Sequence, residues 1–266
     1  MQKTGLLEGD SLDQMKSIND KSYQLIIADP PYFQVLVDES WDNQWKDENE
    51  YLEWSMQWIS ECGRLLKDDG LFYIFGQLGK REHAWLHLMS QATRELQFHD
   101  LIIWDRIVGY NERYDSFTPS YEMILVLRKS NQDKPYFNKD AVRLTYDEKT
   151  IETYLKDKRY KDKDARREHL NKGKYSTNII RTPSLKGSSK EKVGHPSQKT
   201  IKLIQDLILS SSKEGDHVFD PFLGSGTTAY VAQQHNREWT GIERNKDYIE
   251  IIKKRVNGTQ LDLFNI

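Results

Sequence analysis

The sequence predicts an α/β protein built on a mostly parallel sheet, with helices on both faces and an antiparallel hairpin at one edge. Three observations predict it. The apolar runs 23–28, 71–75 and 123–127 read as strands buried on both faces, the pattern of a parallel sheet. Stretches of helical apolar spacing at 48–66, 80–96 and from Thr200 onward alternate with such runs. Only a loop separates the run 101–104 from 123–127, so these two are expected to pair antiparallel.

The elements follow in order. A short strand at 6–8 closes on Gly9-Asp10, and Ser11 is placed to cap a short helix through Ile18. Strand 23–28 delivers Asp29-Pro30-Pro31-Tyr32. Residues 33–46, with Trp41 and Trp45, are too polar and aromatic for a strand and read as a loop. Helix 48–66 ends at Asp69-Gly70, read as a turn into strand 71–75. Helix 80–96, strand 101–104, a loop at 109–120 and strand 123–127 complete this half. Between 131 and 192 no period holds, and Tyr154, Tyr160 and Tyr175 stand among many lysines and arginines. Order returns with the helix after Thr200, strand 217–220, a glycine-rich turn, helix 229–235, strand 239–243 and a closing helix at 245–256.

At 266 residues the chain suits one sizeable domain or a domain with a large insertion. No stretch approaches the roughly 18 apolar residues of a membrane span, and the N-terminus lacks the apolar core of a signal peptide. A cytoplasmic protein is expected. Cys62 is the only cysteine, so no disulfide framework or clustered thiolate metal site is expected, and its helical setting makes it a packing residue. The net charge of −2 hides an asymmetry. Residues 131–192 carry 17 Lys and Arg against 10 Asp and Glu, and the rest carries 22 against 31. That split suits a polyanion-facing insertion on an acidic body, or else a solvated surface segment.

Two stretches carry chemistry. In Asp29-Pro30-Pro31-Tyr32 the prolines remove two backbone donors and stiffen the chain, leaving outward carbonyl acceptors beside a carboxylate and an aromatic ring. Such a cup suits an exocyclic amine on a planar ring, though an Asx-Pro turn capped by a tyrosine has the same residues. Asp220 to Thr228 runs from a strand through Gly224-Ser225-Gly226 into a helix start, which gathers backbone N–H groups at one crevice. Glu243 ends the next strand, where a carboxylate accepts ribose hydroxyls. No Gly-Lys-Ser/Thr follows, so this is not a P-loop, and Ala229 stands where a dinucleotide fingerprint has its third glycine.

Together, Asp-Pro-Pro-Tyr and Asp-Pro-Phe-x-Gly-Ser-Gly-Thr resemble the S-adenosylmethionine-dependent DNA methyltransferases that modify exocyclic amines. His195-Pro196-Ser197-Gln198-Lys199 resembles that family's third signature, and the motif order is that of its beta group. The resemblance covers 5–130 and 193–257 and implies a circularly permuted Rossmann-like methyltransferase sheet. Strand 217–220 then comes first, 239–243 second, 6–8 third and 23–28 fourth, bringing Asp220, Glu243, Asp10 and Asp29 to one edge.

The resemblance implies roles. Asp29, Pro30, Pro31 and Tyr32 form the site for adenine N6, with the base flipped from DNA and stacked on Tyr32. Glu243 holds the cofactor ribose and Asp10 its adenine amine. Asp220, Phe222, Gly224, Ser225 and Gly226 line the cofactor, and Lys199 and Thr227 hold its methionine end, with Ser197 beside them. Thr200 departs from the family's second proline, which puts the firmness of that turn in doubt. Residues 131–192 become a target-recognition region with Arg143, Arg159, Arg166, Arg167 and Lys174 as DNA contacts, joined by Tyr110 and Arg113 from the preceding loop. Within the class, an N4-cytosine or RNA adenine methyltransferase is the alternative; outside it, a non-catalytic DNA-binding module. The resemblance leaves open a restriction-endonuclease partner or a solitary role, and a homodimer, as some family members form. In the tail 258–266, Gln260, Leu261, Leu263 and Phe264 resemble the peptide that binds the bacterial sliding clamp, or else fold back on the core.

Overall fold

A computed structural model describes residues 4–36, 38–78, 83–109, 112 and 114–258. Among the described residues eight strands form one sheet: β1 (Gly5–Glu8), β2 (Tyr23–Ala28), β3 (Leu66–Gly76), β4 (Gln97–Asp105), β5 (Tyr121–Arg128), β6 (Ile179–Arg181), β7 (His217–Asp220) and β8 (Glu238–Glu243). Their order is β1-β8-β7-β2-β3-β5-β4-β6. Every neighbouring pair is parallel except β3–β5 and β4–β5. The C-terminal strands β7 and β8 are thus inserted between β1 and β2, as a permuted sheet requires.

Helices α1 (Ser11–Met15), α2 (Glu48–Leu65) and α3 (Ala84–Glu95) cover one face of the sheet. Helices α6 (Ile201–Ser211) and α7 (Thr227–Gln234) cover the other, and α8 (Lys246–Val256) closes the chain. The central strands divide their side chains by the two-residue period of a pleated strand. In β3, Phe72 and Ile74 enter the first core, while Leu71, Tyr73 and Phe75 enter the second. Cys62 is fully buried on α2 and packs against Met15, as its helical setting suggested.

Four expectations need correction. The antiparallel pair β4–β5 is present but does not end the sheet, because β6 lies outside it, parallel to β4. β6 has three residues, two of them exposed, which is too short for a periodic signal. Second, Asp69-Gly70 is no turn, since β3 starts at Leu66 directly after α2. Gly70 is needed for close approach instead: a Cβ there would lie 2.8 Å from the Gln24 carbonyl oxygen. Third, residues 131–192 are folded, with α4 (Glu148–Leu155) and α5 (Lys163–Asn171) capped by Asp147 and Asp162. Each buries a single apolar residue, Ile151 or Leu170, which leaves no amphipathic stripe to read. Fourth, the cap of α1 is Asp10, which accepts from the backbone N–H groups of Leu12 and Asp13. Ser11 instead donates to the Pro221 carbonyl.

Candidate active site

The strand order brings the ends of β1, β8, β7 and β2 side by side. A cleft of about 410 Å³ opens there, lined among others by Asp10, Asp29, Pro31, Ser197, Lys199, Asp220, Phe222, Gly224, Ser225, Thr227 and Glu243. Residues from three separate sequence motifs therefore share one cavity, whereas Pro30, Tyr32 and Gly226 are not among those that line it.

On one wall, β2 ends at Ala28 and the chain turns through Asp29 to Tyr32. Asp42, buried at the far end of the following loop, accepts from the backbone N–H groups of Tyr32, Val35 and Leu36 and fixes the loop's path. The Tyr51 hydroxyl donates to the Pro31 carbonyl at 3.0 Å. That carbonyl is engaged internally, contrary to the expectation that the prolines turn their carbonyls outward. Tyr32 donates its hydroxyl to Asp29 Oδ1. The Lys199 ammonium lies 2.7 Å from Asp29 Oδ2 and 3.4 Å from Glu122 Oε2, and 3.0 Å from the Tyr32 oxygen. Burial opposes the Lys199 charge, but the Asp29 and Glu122 carboxylates outweigh it and hold its pKa above the usual lysine value. Burial first, then the same two carboxylates, pushes the Tyr32 phenol well up, so it stays protonated.

The opposite wall is built from the glycine turn. Gly224 N–H donates to Glu243 Oε2 at 2.8 Å, while Arg244 and Asn245 N–H donate to Oε1 at 2.9 and 2.8 Å. Gly224 has φ +50°, and a Cβ there would sit 3.0 Å from His195 Nε2. Asp220 accepts from Phe222 N–H at 2.9 Å, and its burial pushes its pKa up to about 7, with the Asp29 and Glu243 charges adding to the rise. Phe222 packs its ring on Trp58 and Trp54, with centroids 5.1 and 5.7 Å away. Behind the turn, the buried Arg255 guanidinium donates to the Ser225 carbonyl and to Thr227 Oγ1, both at 3.0 Å.

A family model described as DNA methylase matches residues 23–254. The chain belongs to that family. Type II methyltransferase M.HpaI of Haemophilus parainfluenzae is 31% identical over 252 residues, covering 95% of this chain and 74% of that protein. DNA adenine methyltransferase YhdJ of Escherichia coli (strain K12) is 30% identical over 260 residues, covering 95% and 82%. Among solved structures, the cytosine-N4-specific PvuII DNA methyltransferase matches with a TM-score of 0.66 at 18% identity, covering 100% of this chain and 97% of that one. TTHA0409 of Thermus thermophilus, complexed with S-adenosyl-L-methionine, also matches with a TM-score of 0.66, at 19% identity and 98% and 96% coverage.

As a DNA methylase the protein is an enzyme that takes its methyl group from S-adenosylmethionine, and the glycine-turn wall fits that cofactor. Its volume lies within the roughly 300–1,000 Å³ of small-molecule sites. It offers a carboxylate for a diol at Glu243, an aromatic surface at Phe222, and a backbone that Cβ-bearing residues would crowd at Gly224. Thr200, in place of the family's proline, does not loosen the turn: it is the N-cap of α6, and its hydroxyl accepts from Leu203 N–H.

Other site candidates fall differently. Arg143 lies over the Tyr175 ring at 3.9 Å and donates to the Gly173 carbonyl, Arg167 bridges Glu148 and Glu152, and Arg159 pairs with Asp157. Arg143 and Arg167 tie parts of the segment together, whereas the Arg159 pair is local and exposed. Arg166 stacks on Tyr160 at 4.1 Å, and Lys174 is exposed. None of the five lines the cleft. Tyr110, Arg113 and the tail residues Gln260, Leu261, Leu263 and Phe264 lie outside the described residues. Sequence reasoning missed Glu122, Arg106, Trp41 and Tyr248. Glu122 and Arg106 sit on or beside strands read only as apolar, and Trp41 and Tyr248 line the cleft from a loop and from α8.

Proposed function

We propose that the protein transfers a methyl group to N6 of an adenine flipped out of DNA. The observation that carries this reading is the single cleft in which Asp29 faces the glycine turn, so that an amine acceptor and a cofactor wall share one cavity. The lone pair of an aryl amine is delocalised into the ring and is a weak nucleophile. Accepting its N–H bonds at Asp29 and at the Pro30 carbonyl favours the tetrahedral nitrogen and offsets the positive charge that grows on it. Bound S-adenosylmethionine supplies an electrophilic methyl group. The chain's own contribution is to hold the amine in line with it, with Glu243, Asp10 and Phe222 gripping the nucleoside end and the 224–227 backbone the remainder. Tyr32 provides a ring against which the flipped base stacks.

The aspartate that opens the motif favours adenine over cytosine, as does the likeness to a relative named as a DNA adenine methyltransferase. Residues 131–192 serve as the target-recognition region, supported by their surplus of cations and by β6, which returns the chain to the carboxyl edge of the sheet. Nucleoside mass spectrometry of DNA methylated by the purified protein tests the reading. N6-methyladenine is expected, and N4-methylcytosine alone would overturn it. The tail 258–266 is a docking peptide for the bacterial sliding clamp; unchanged clamp capture after deletion of residues 260–266 would refute this.

A further inference from the structure

Asp29 is already occupied. Its Oδ1 accepts from the Tyr32 hydroxyl and its Oδ2 holds the Lys199 ammonium at 2.7 Å. A cation held there conflicts with amine methylation, because the nitrogen that hydrogen-bonds to Asp29 becomes positive as the methyl arrives. An ammonium on the same carboxylate cancels the charge that should stabilise that nitrogen. Lys199 therefore needs somewhere else to go. Among the described residues, the other carboxylate within ion-pairing distance of it is Glu122, whose Oε2 is 3.4 Å from Nζ.

Glu122 is built for that purpose. It sits near the start of β5, opposite Trp104 of β4, and its side chain is 7% exposed, as is that of Lys199. Arg106 holds its other oxygen, Oε1, at 3.1 Å, which fixes the carboxylate and leaves Oε2 for Lys199 and for the Tyr32 hydroxyl at 3.2 Å. The four charges balance as two carboxylates and two cations, and moving Lys199 onto Glu122 frees the Asp29 carboxylate, whose charge the incoming amine then meets. The shift needs only rotation about the lysine's own bonds.

Resting on the reading of Asp29 as the amine site, we propose that Glu122 is a positioning residue for methyl transfer. It draws the Lys199 ammonium off Asp29 when the target amine arrives, and thereby restores the Asp29 charge that the transition state uses. Glu122 is not among the residues that line the cleft. It acts through Lys199 and Tyr32.

The test is a double-variant cycle on the full-length protein, with single-turnover methylation and cofactor affinity measured for each form. Glu122→Gln keeps the size and the hydrogen-bonding oxygen and removes the charge. It should slow methyl transfer at saturating DNA and cofactor by about 10- to 100-fold, the scale of one electrostatic contact in a dry site. The Kd for S-adenosylmethionine and the KM for DNA should stay within about threefold of the parent, and Glu122→Asp should recover part of the rate. In a Lys199→Met background, where there is no ammonium to withdraw, Glu122→Gln should cost less than about threefold more, because residues acting as a unit are not additive. Independent, multiplying losses would overturn the proposal, as would a Glu122→Gln rate within threefold of the parent. If Glu122→Gln fails to fold, the Glu122→Asp rate in the two lysine backgrounds decides the same question. Asp29→Ala run alongside separates the two readings: if it still methylates, the amine site itself is misplaced, whatever Glu122 does.

Discussion

The two walls of the cleft, one proposed for the cofactor and one for the target amine, are fixed by different kinds of bond. On the cofactor wall, three backbone N–H groups grip Glu243 and a fourth grips Asp220. On the amine wall, Asp29 is held by the Lys199 ammonium and the Tyr32 hydroxyl, with Glu122 and Arg106 behind them. A geometry held by backbone groups changes only if the loop refolds. One held by side chains rearranges through torsions about single bonds. The first suits a surface that meets the same cofactor in every cycle, and the second suits a surface that must admit a base, engage it and release it.

If that division is real, damage to the two walls should register in different constants. Asp29→Ala removes the acceptor on the amine wall and should lower the methylation rate by at least about 10²- to 10³-fold, the loss seen when one preorganised electrostatic contact is deleted. Its Kd for S-adenosylmethionine, measured by equilibrium binding, should stay within about threefold of the parent. A cofactor affinity that collapses together with the rate would show that the walls are one unit. Glu243→Ala is the converse. It strands backbone donors, each worth about 1–3 kcal/mol when left unpaired, and should weaken cofactor binding by about 10- to 100-fold, with a much smaller change in rate at saturating cofactor.

The same contrast explains what the sequence made legible. The cofactor wall is local: Asp220, the glycine turn and Glu243 lie within 24 residues, and their spacing carries the geometry. The order of four strands was legible through the resemblance, because 217–220, 239–243, 6–8 and 23–28 each lead into a motif residue, whereas the other runs carry no such mark. The amine wall is assembled from Asp29, Lys199 and the Arg106–Glu122 pair of the β4–β5 hairpin, which come from three distant segments. No spacing ties Glu122 to Asp29. A lone glutamate in an apolar strand was the only available signal, and it gained meaning once β5 was seen to pair with β3. In 131–192 the obstacle was shortness: α4, α5 and β6 each expose most of their residues.

Finer changes sharpen the picture of the cofactor wall. Gly224→Ala places a Cβ 3.0 Å from His195 Nε2 at φ +50°. A left-handed alanine costs about 1–2 kcal/mol, so cofactor affinity should fall by about tenfold while Asp29-dependent chemistry continues. Equilibrium binding checks this, and an unchanged Kd would mean that the turn yields without disturbing the ligand surface.

The last effect concerns Asp220 and reads out in stability rather than in rate or affinity. Its carboxyl titrates at 3.8 as a free side chain and at about 7 in the fold, chiefly because it is buried and secondly because Asp29 and Glu243 repel its charge. Raising a carboxyl's pKa on folding means that the folded state keeps a proton which the unfolded chain releases. The stability linked to that proton is fully present below about pH 4, falls as the pH rises, and is gone above about pH 7. Asp220→Asn makes the neutral form permanent and keeps the oxygen that accepts from Phe222 N–H. Urea unfolding at pH 5, 6, 7 and 8 should therefore show the variant gaining on the parent as pH rises, by about 3 kcal/mol, since this window spans about two of the three pKa units. The gain should level off above pH 7. A difference that is the same at all four pH values would place Asp220 among ordinary carboxylates, and the cofactor wall would then carry its full negative charge at neutral pH.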